Sequence, residues 1–594
     1  MFRTSRTVAS LIRSLMLGTA ATVATATLAT TLVSCKDESQ PEYWVDKLED
    51  NAWRPRAVKR LEQFFEDAVT KANKNMEDPA VKALLDKIVD PLTKTYVDHY
   101  SDLDVKTRVA LIKLVAAFRD KRTEPALKKA LDEYIKRPTS SQDETDIRWV
   151  IRAQADLKLA SLSDPMLQVF MKVKAHSPLG ALVIKDMRDT MVETVDKAWA
   201  PSLRKMLQAE IPPLDPKVKD SLGKVKNEVY WQTVAALLLG ELKDAEAVEP
   251  LMRIVLDPLK GNVATTAVLA LVKIGDPAIN AAIKLMKGED KKLADFHLAK
   301  LKESQKLKEV PKDQPYVWMA AVMLGTAGNA KAASAMMEVL KSNEQEQNRA
   351  VILDEMSKLP ATNQTKAAFK EGFANLKLTT RMPRGERAMP YLMEEAFTRF
   401  YDSTMLDWAL AQAEEVKGYA DEKKDLQAQV LLTYVKLAKP NQMGKVQELL
   451  KQYGTKADKK SKHKYFESPL VLEAEKAVQA CGERVECYLS YLEKSEVQSK
   501  GKEFGGIKAA YMIGILGDES AAAELVDRLD AIENDSIMMA VLKSIDHLCP
   551  KGSEKIADRL DEILKEHRKS ADRHRMAGDN AIREVMYRIR ARAS

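Results

Sequence analysis

The sequence predicts an all-α fold, an α-solenoid of stacked helical hairpins. Three observations lead there: a helix-favouring composition, a repeated pattern of apolar run, turn acid and second apolar run, and a long body with no internal linker. Charged residues make up 30 % of the 594 positions, and aromatic residues, which strands favour, only 6 %. Ala, Leu, Lys and Glu crowd the chain, and these are good helix formers. Between Pro41 and the C-terminus no Pro/Gly/Ser-rich stretch separates domains, so one continuous architecture is expected.

The chain opens with Arg3, Arg6 and Arg13, followed by an uncharged run from Ser14 that closes on Leu32-Val33-Ser34-Cys35. Basic, then apolar, then small before a break is the pattern of a secretory signal. A run of 21 uncharged residues is long enough to cross a hydrocarbon core of about 30 Å. Its six threonines and its shortage of Leu, Ile and Phe favour cleavage instead. The last four residues resemble the lipobox of bacterial lipoproteins. That resemblance implies a signal peptide over residues 1–34, acylation of Cys35 (palmitate among the chains), and a short tether over 35–41. Two or more acyl chains make a stable membrane anchor. Lys36 stands where inner-membrane lipoproteins carry Asp, so the expected address is the outer membrane, facing the periplasm. Cleavage removes three Arg and no acid, lowering the formal charge from +7 to +4 over 560 residues. A balance this close to neutral, on an exported chain, argues against nucleic acid.

The repeat is read over residues 42–594. Leu239-Gly240-Glu241-Leu242-Lys243-Asp244-Ala245-Glu246-Ala247-Val248-Glu249-Pro250-Leu251 matches the stretch from Ile513 to Leu525 in character, with Asp518 in the place of Asp244. A third copy runs from Leu324 to Met336 with Asn329 at that position, and looser copies centre on Asp120, Asp164 and Asp276. Before the acid, Val234, Leu237, Leu238 and Leu242 share one helical face; after it, Val248, Leu251, Ile254 and Val255 share another. The acid is expected to cap the second helix, which must begin just before Pro250. One hairpin cannot bury both faces alone, so neighbours stack. These segments are similar to HEAT repeats, in the short form also found in phycobilisome lyase proteins. Trp44 to Leu48 and Trp53 to Leu61 read as an opening repeat, and a Lys-rich insertion is expected near 287–314.

Few residues suggest chemistry. Cys481 and Cys487 fall between two apolar helix faces, where a hairpin brings Cα atoms within the roughly 4.4–6.8 Å that a disulfide needs. An oxidising periplasm permits the bond, two unpaired thiols being the alternative; no further ligands are spaced for a metal. Cys549 reads as a small buried residue at a helix end. None of the seven histidines forms a ligand pair, and His297 is expected to pack on Leu293, Phe296 and Leu301. Lys459, Lys460, Lys462 and Lys464, with Lys456 and His463 among them and Tyr465 and Phe466 behind, form a candidate grip for an anionic or acidic partner. Ile582, Val585, Met586 and Ile589 make an apolar stripe flanked by Arg583, Arg588, Arg590 and Arg592, expected to cap the array, with a membrane-surface helix as the alternative.

No P-loop, dinucleotide fingerprint or nucleophile elbow occurs, and no catalytic residue, metal or cofactor is assigned. The expected role is a non-catalytic, protein-binding scaffold or assembly factor of the cell envelope, held by its lipid, with no small-molecule substrate. One alternative is an envelope enzyme on cell-wall polymer, since some lytic transglycosylases carry a helical superhelix and a Glu-Ser pair; here Glu467-Ser468 stands before Pro469 without the family's Gly-Leu-Met-Gln segment. A lyase-like handling of a cofactor is suggested only by the shared repeat type.

Overall fold

The computed structural model describes residues 37–137, 143–175, 180–415, 420–453, 468–499, 501–569 and 578–593. It divides into two compact units, one ending at Thr95 and one beginning at Tyr96. Among the described residues the only β-type pairing is an isolated antiparallel bridge between Arg381 and Arg387. No single described helix is long and apolar enough to cross a membrane.

The first unit holds α1 (Pro41–Asp46), α2 (Arg54–Lys71) and most of α3 (Pro79–Asp98). Pro41 opens α1 where its missing N–H costs nothing. Trp44 is fully buried and donates its indole N–H to the Glu38 carbonyl at 2.8 Å. α2 buries Ala57, Val58, Leu61 and Phe65 along one stripe, as the 3.6-residue period requires.

In the second unit helices come as hairpins: α4 (Val105–Ala117) with α5 (Glu124–Lys136), α6 (Asp143–Leu157) with α7 (Ser163–Phe170), α8 (Gly180–Glu193) with α9 (Ala200–Gln208), and α10 (Ser221–Glu241) with α11 (Val248–Leu256). α12 (Gly261–Ile274) and α13 (Asp276–Met286) precede α14 (Lys291–Ser304), the helix of the Lys-rich insertion, which packs on α11. Next come α15 (Tyr316–Ala327) with α16 (Lys331–Ser342) and α17 (Glu346–Met356) with α18 (Asn363–Ala374). An irregular stretch follows: α19 (Ala388–Tyr391), a π-helical turn over Leu392–Ala396 and a 3-10 turn over Phe397–Phe400. The rest is α20 (Leu406–Glu415), α21 (Ala420–Leu437), α22 (Met443–Tyr453), α23 (Ser468–Cys481), α24 (Val485–Leu492), α25 (Ser495–Gln498), α26 (Glu503–Leu516), α27 (Glu519–Asp527), α28 (Asp535–Leu548), α29 (Glu554–Lys569) and α30 (Asp579–Ala593).

The first helices of successive hairpins form one row, α4 on α6 on α8 on α10 on α12 on α15 on α17. The row continues through the Leu392–Ala396 turn to α21, α26 and α28. Second helices form the other row, with α5 on α7, α9 on α11, α13 on α16, α16 on α18 and α27 on α29. This is an all-α solenoid of stacked hairpins, in which each apolar face is covered by the next repeat. Gly240 permits the close packing of α10 on α12, since a Cβ there would lie 2.9 Å from the Ala270 Cα.

The turn acids act as caps, with local variation. Asp244 accepts from the Glu246 N–H at 3.3 Å and starts a single 3-10 turn that feeds α11 at Val248, two residues before Pro250. Asp120, Asn329 and Asp518 accept from the residue two positions on at 2.9 Å. Asp196 and Asp402, outside the repeat copies read from the sequence, do the same at 2.9 Å. Asp164 and Asp276 do not cap: each lies in the first turn of its own helix, where its charge still faces the positive end of the helix dipole.

The other helix ends show a device invisible in the sequence pattern. The last carbonyls of a buried helix lack intrahelical partners, and here a side chain from a later element reaches across to them. Trp231 donates to the Phe170 carbonyl at 3.0 Å, and Lys260 to those of Leu207 and Ala209 at 2.8 and 2.6 Å. His297 Nδ1 lies 2.5 Å from the Leu256 carbonyl. Lys508, with no exposed surface, donates to Val435, Lys436 and Ala438 at 2.8, 3.1 and 2.5 Å.

The C-terminal helix departs from expectation. A capping helix would keep its polar side in solvent, yet α30 buries Ile582, Val585, Met586, Tyr587, Arg588 and Ile589. It packs on α28 and α29 and also on α12 and α15. Arg592 donates to the carbonyls of Gly328 (3.3 Å), Lys358 (2.9 Å), Asp546 (2.8 Å) and Cys549 (3.3 Å). One guanidinium thereby satisfies the ends of α15, α17 and α28, and the row is joined to a segment 264 positions away in sequence.

Candidate functional site

The site lies where α12, α15, α17, the irregular 391–400 stretch, α28 and α30 come together. α17 runs Val351-Ile352-Leu353-Asp354-Glu355-Met356, placing two acids at the end of an apolar run, and both are buried. Arg399, carried by the 3-10 turn, donates to Asp354 Oδ1 at 2.7 Å and to Ser357 Oγ at 2.9 Å, and Tyr391 donates to Asp354 Oδ2 at 3.4 Å. Glu395 receives Lys543 of α28 at 2.6 Å. Asp546 is held by Arg588 at 2.9 Å and Arg592 at 3.0 Å, and Arg588 also pairs with Glu584. Non-regular backbone aims these groups: the π-helical turn shifts the register of one helical turn, and Tyr401 sits in the left-handed region at φ 49°. Its ring stacks on His547 at 4.3 Å, and its hydroxyl lies 3.0 Å from Ser544 Oγ.

Burial and pairing set the charges in opposite directions. Burial pushes the Asp354 carboxyl up, but Arg399 and Lys358 outweigh it and hold the group below the usual carboxylate range. Glu395 follows the same logic, with Lys543 and Arg399 overcoming burial to bring it down to about 2. Glu355 goes the other way: burial dominates, Lys358 at 2.7 Å offsets only part of it, and the carboxyl is pushed up to about 7. His547 is brought down to about 4 by burial against the opposing pull of Asp546, so it is neutral at pH 7. The network is thus one of paired charges with a single carboxyl, Glu355, poised between its two states near neutrality.

Two adjoining cavities open on these groups. The larger, about 860 Å³, has a wall of half-buried Val268, Trp318, Met319 and Val322 facing Glu355, Tyr391 and Arg399. Met382, Pro383 and Arg384 overhang it from a loop pinned by the Arg381–Arg387 bridge. The smaller, about 500 Å³, is lined by Glu395, Lys543, Asp546, His547, Arg588 and Arg592. Lys358, Arg399, Ala581 and Glu584 line both. An apolar wall opposite a few convergent polar groups suits the anchor side chains of a bound segment. Among the described residues no group of three or more His, Cys, Asp or Glu is arranged to hold a metal ion.

Of the residues singled out from sequence, Val585, Arg588 and Arg592 of the C-terminal stripe line the smaller cavity; the others lie elsewhere or outside the described residues. Cys35, Lys459, Lys460, Lys462, Lys464 and Glu467 lie outside the described residues. Cys481 and Cys487 are brought together as a disulfide with Cα atoms 5.3 Å apart, remote in sequence from the cavity residues. Cys549 is buried and its thiol is pushed up to about 12, chiefly by burial, which leaves it protonated at neutral pH. His297 is buried in the middle of α14, as is Leu293, and reaches the end of α11 at the Leu256 carbonyl. In the Lys-rich insertion, Phe296 of α14 lies under the Arg253 guanidinium at 4.6 Å, and Lys287, Lys292 and Lys300 pair with Glu338, Glu249 and Glu303. Apart from Arg588 and Arg592, which the sequence marks only as the flank of an apolar stripe, the charged cavity residues carry no motif. The available signal is charge inside an apolar run, Asp354-Glu355 in α17.

No protein-family model matches the chain, and no curated protein matches it. Solved structures with a similar arrangement include Kap121p (TM-score 0.33, 11 % identity over 90 % of this chain and 63 % of that one) and importin beta (0.29, 11 %, 88 % and 70 %). A chain of the SYS-1/POP-1 complex gives 0.27 and 9 % identity, covering 92 % of this chain and 98 % of that one. The chain thus spans less than two thirds of the Kap121p chain.

Proposed function

We propose that the chain is a lipid-anchored, protein-binding scaffold or assembly factor of the bacterial cell envelope. The observation that carries the binding part is the cavity of about 860 Å³ in which an apolar wall, Val268, Trp318, Met319 and Val322, faces Glu355, Tyr391 and Arg399. Trp318 and Val322 are one helical turn apart on α15, so together they present one contiguous anchor surface. Anchoring rests on the lipobox-like Leu32-Val33-Ser34-Cys35, and the outer-membrane address on Lys36.

A photo-reactive amino acid at Val322, with Glu524 on α27 as control position, tests the binding site in cells. The account expects one discrete adduct from position 322 that Trp318→Ala removes without changing the melting temperature, and none from 524. Equal cross-linking at both positions, or an adduct insensitive to Trp318→Ala, contradicts it. Release of fragments from cell-wall sacculi by the purified protein, abolished in Glu467→Gln, turns the reading towards an envelope enzyme.

A further inference from the structure

The first unit carries an uninterrupted alternation of rings and cations. Lys47 Nζ lies 5.6 Å from the Tyr43 ring and 5.4 Å from that of Trp53. The Arg56 guanidinium lies 5.4 Å from Trp53 and 5.4 Å from Trp44. Arg60 continues at 5.7 Å from Trp44 and 5.7 Å from Phe64. Trp44 is the buried footing; Tyr43, Lys47, Trp53, Arg60 and Phe64 are half-buried and Arg56 is exposed. From Trp53 to Arg60 the chain has no acid and, besides the buried Arg54, three cations, Arg56, Lys59 and Arg60; the turn before them carries Glu49 and Asp50. Rings with one wet edge, interleaved with long cationic stems, suit the boundary between lipid headgroups and water.

We infer that this face of α1, the following turn and α2 lies on the surface of an anionic bilayer. The inference rests on the lipid-anchor reading above and adds the surface that the anchor presents to the membrane. Five residues separate Cys35 from Pro41, and whatever their path the six chain steps reach at most about 20 Å. An acylated Cys35 therefore keeps α1 within that distance of the headgroups, and a cation of this face that comes within a Debye length of them, about 8–10 Å, gains roughly fivefold in residence. Tethering removes most of the entropic cost of a weak second contact, and the ring–cation face supplies that contact.

The test uses the full-length protein purified from membranes and reconstituted into vesicles of phosphatidylethanolamine and phosphatidylglycerol. An environment-sensitive fluorophore is placed at Trp53→Cys, and separately at Glu66→Cys on the exposed side of α2. The expected result is loss of quenching by an aqueous quencher at position 53 but not at 66. That protection should return to the solvent value in Arg56→Gln/Arg60→Gln or when phosphatidylcholine replaces phosphatidylglycerol. Equal quenching at the two positions, in a protein whose mass shows the acyl chains, overturns the membrane face and leaves the anchor standing. A mass with no acyl chain overturns the anchor instead; the face then stands only if the unacylated protein sediments with anionic vesicles in an Arg56- and Arg60-dependent way, and falls if it does not.

Discussion

Lys508 and Arg592 show what a buried cation does in a stack of helices. Neither is there to neutralise a surface acid; each points its donors at carbonyls that a helix end leaves over. Burial brings Lys508 down to about 7, with no carboxylate opposing it, while three carbonyls take its donors. Lys508→Met keeps the volume but orphans those carbonyls, and a loss of about 1–3 kcal/mol is expected in urea unfolding. Arg592→Ala also strips Asp546 of a partner inside the protein, and about 3 kcal/mol is expected. His567 adds a pH dependence. Its Nδ1 lies 2.8 Å from Asp579 and its Nε2 2.9 Å from Asp530; burial lowers its pKa, but the two carboxylates prevail and raise it. A raised folded value means that the stabilisation is fully present below the unfolded pKa of about 6.5 and is lost as pH rises through the folded one. The destabilisation caused by His567→Gln should therefore be larger at about pH 5.5 than at about pH 9, read from urea midpoints.

At the scale of elements, the hairpins were legible in the sequence and the irregular stretch was not. Asp244, Asn329 and Asp518 mark turns because a cap acts within two residues, a range over which local sequence decides the backbone. The 3.6-residue apolar period locates the helices around those turns for the same reason. The left-handed Tyr401 answers to Ser544 and His547, and Glu395 of the π-helical turn at Leu392–Ala396 to Lys543, all far away in sequence, and no local pattern encodes them. The cavity was hidden for that reason too: Asp354, Arg399, Lys543 and Arg588 belong to four separate elements. Gly328 illustrates the coupling, since it ends α15 at φ +64° and a Cβ there would meet Arg588 Cδ of α30 at 2.7 Å. Gly328→Ala should cost about 1–2 kcal/mol from its conformation alone, and more from displacing Arg588. A substitution at Gly261, which has open space around it, should not disturb α30. Thermal melts of the two variants compare these expectations.

On the scale of the whole molecule, the second unit differs from a simple repeat array. In such an array each repeat touches only its neighbours, and stability accumulates from one repeat to the next. Here α30 contacts α12 and α15 as well as α28 and α29, so repeats far apart in sequence share one structural element. Removing residues 579–594 should expose the apolar surface under Ile582, Val585, Met586 and Ile589 and split one unfolding transition into two or more, visible by calorimetry. The cavities lined by Ala581 and Glu584 would open with it, so the proposed binding at Trp318 and Val322 should be lost with the C-terminal helix.

Hydrogen exchange of the backbone amides of Asp579–Ala593 in the intact protein measures that closure directly. A docked helix predicts protection comparable to that of α26, which the row holds between α21 and α28, and its loss in Arg592→Ala. Exchange of these amides at the rate of an unstructured peptide, while α26 remains protected, would contradict it.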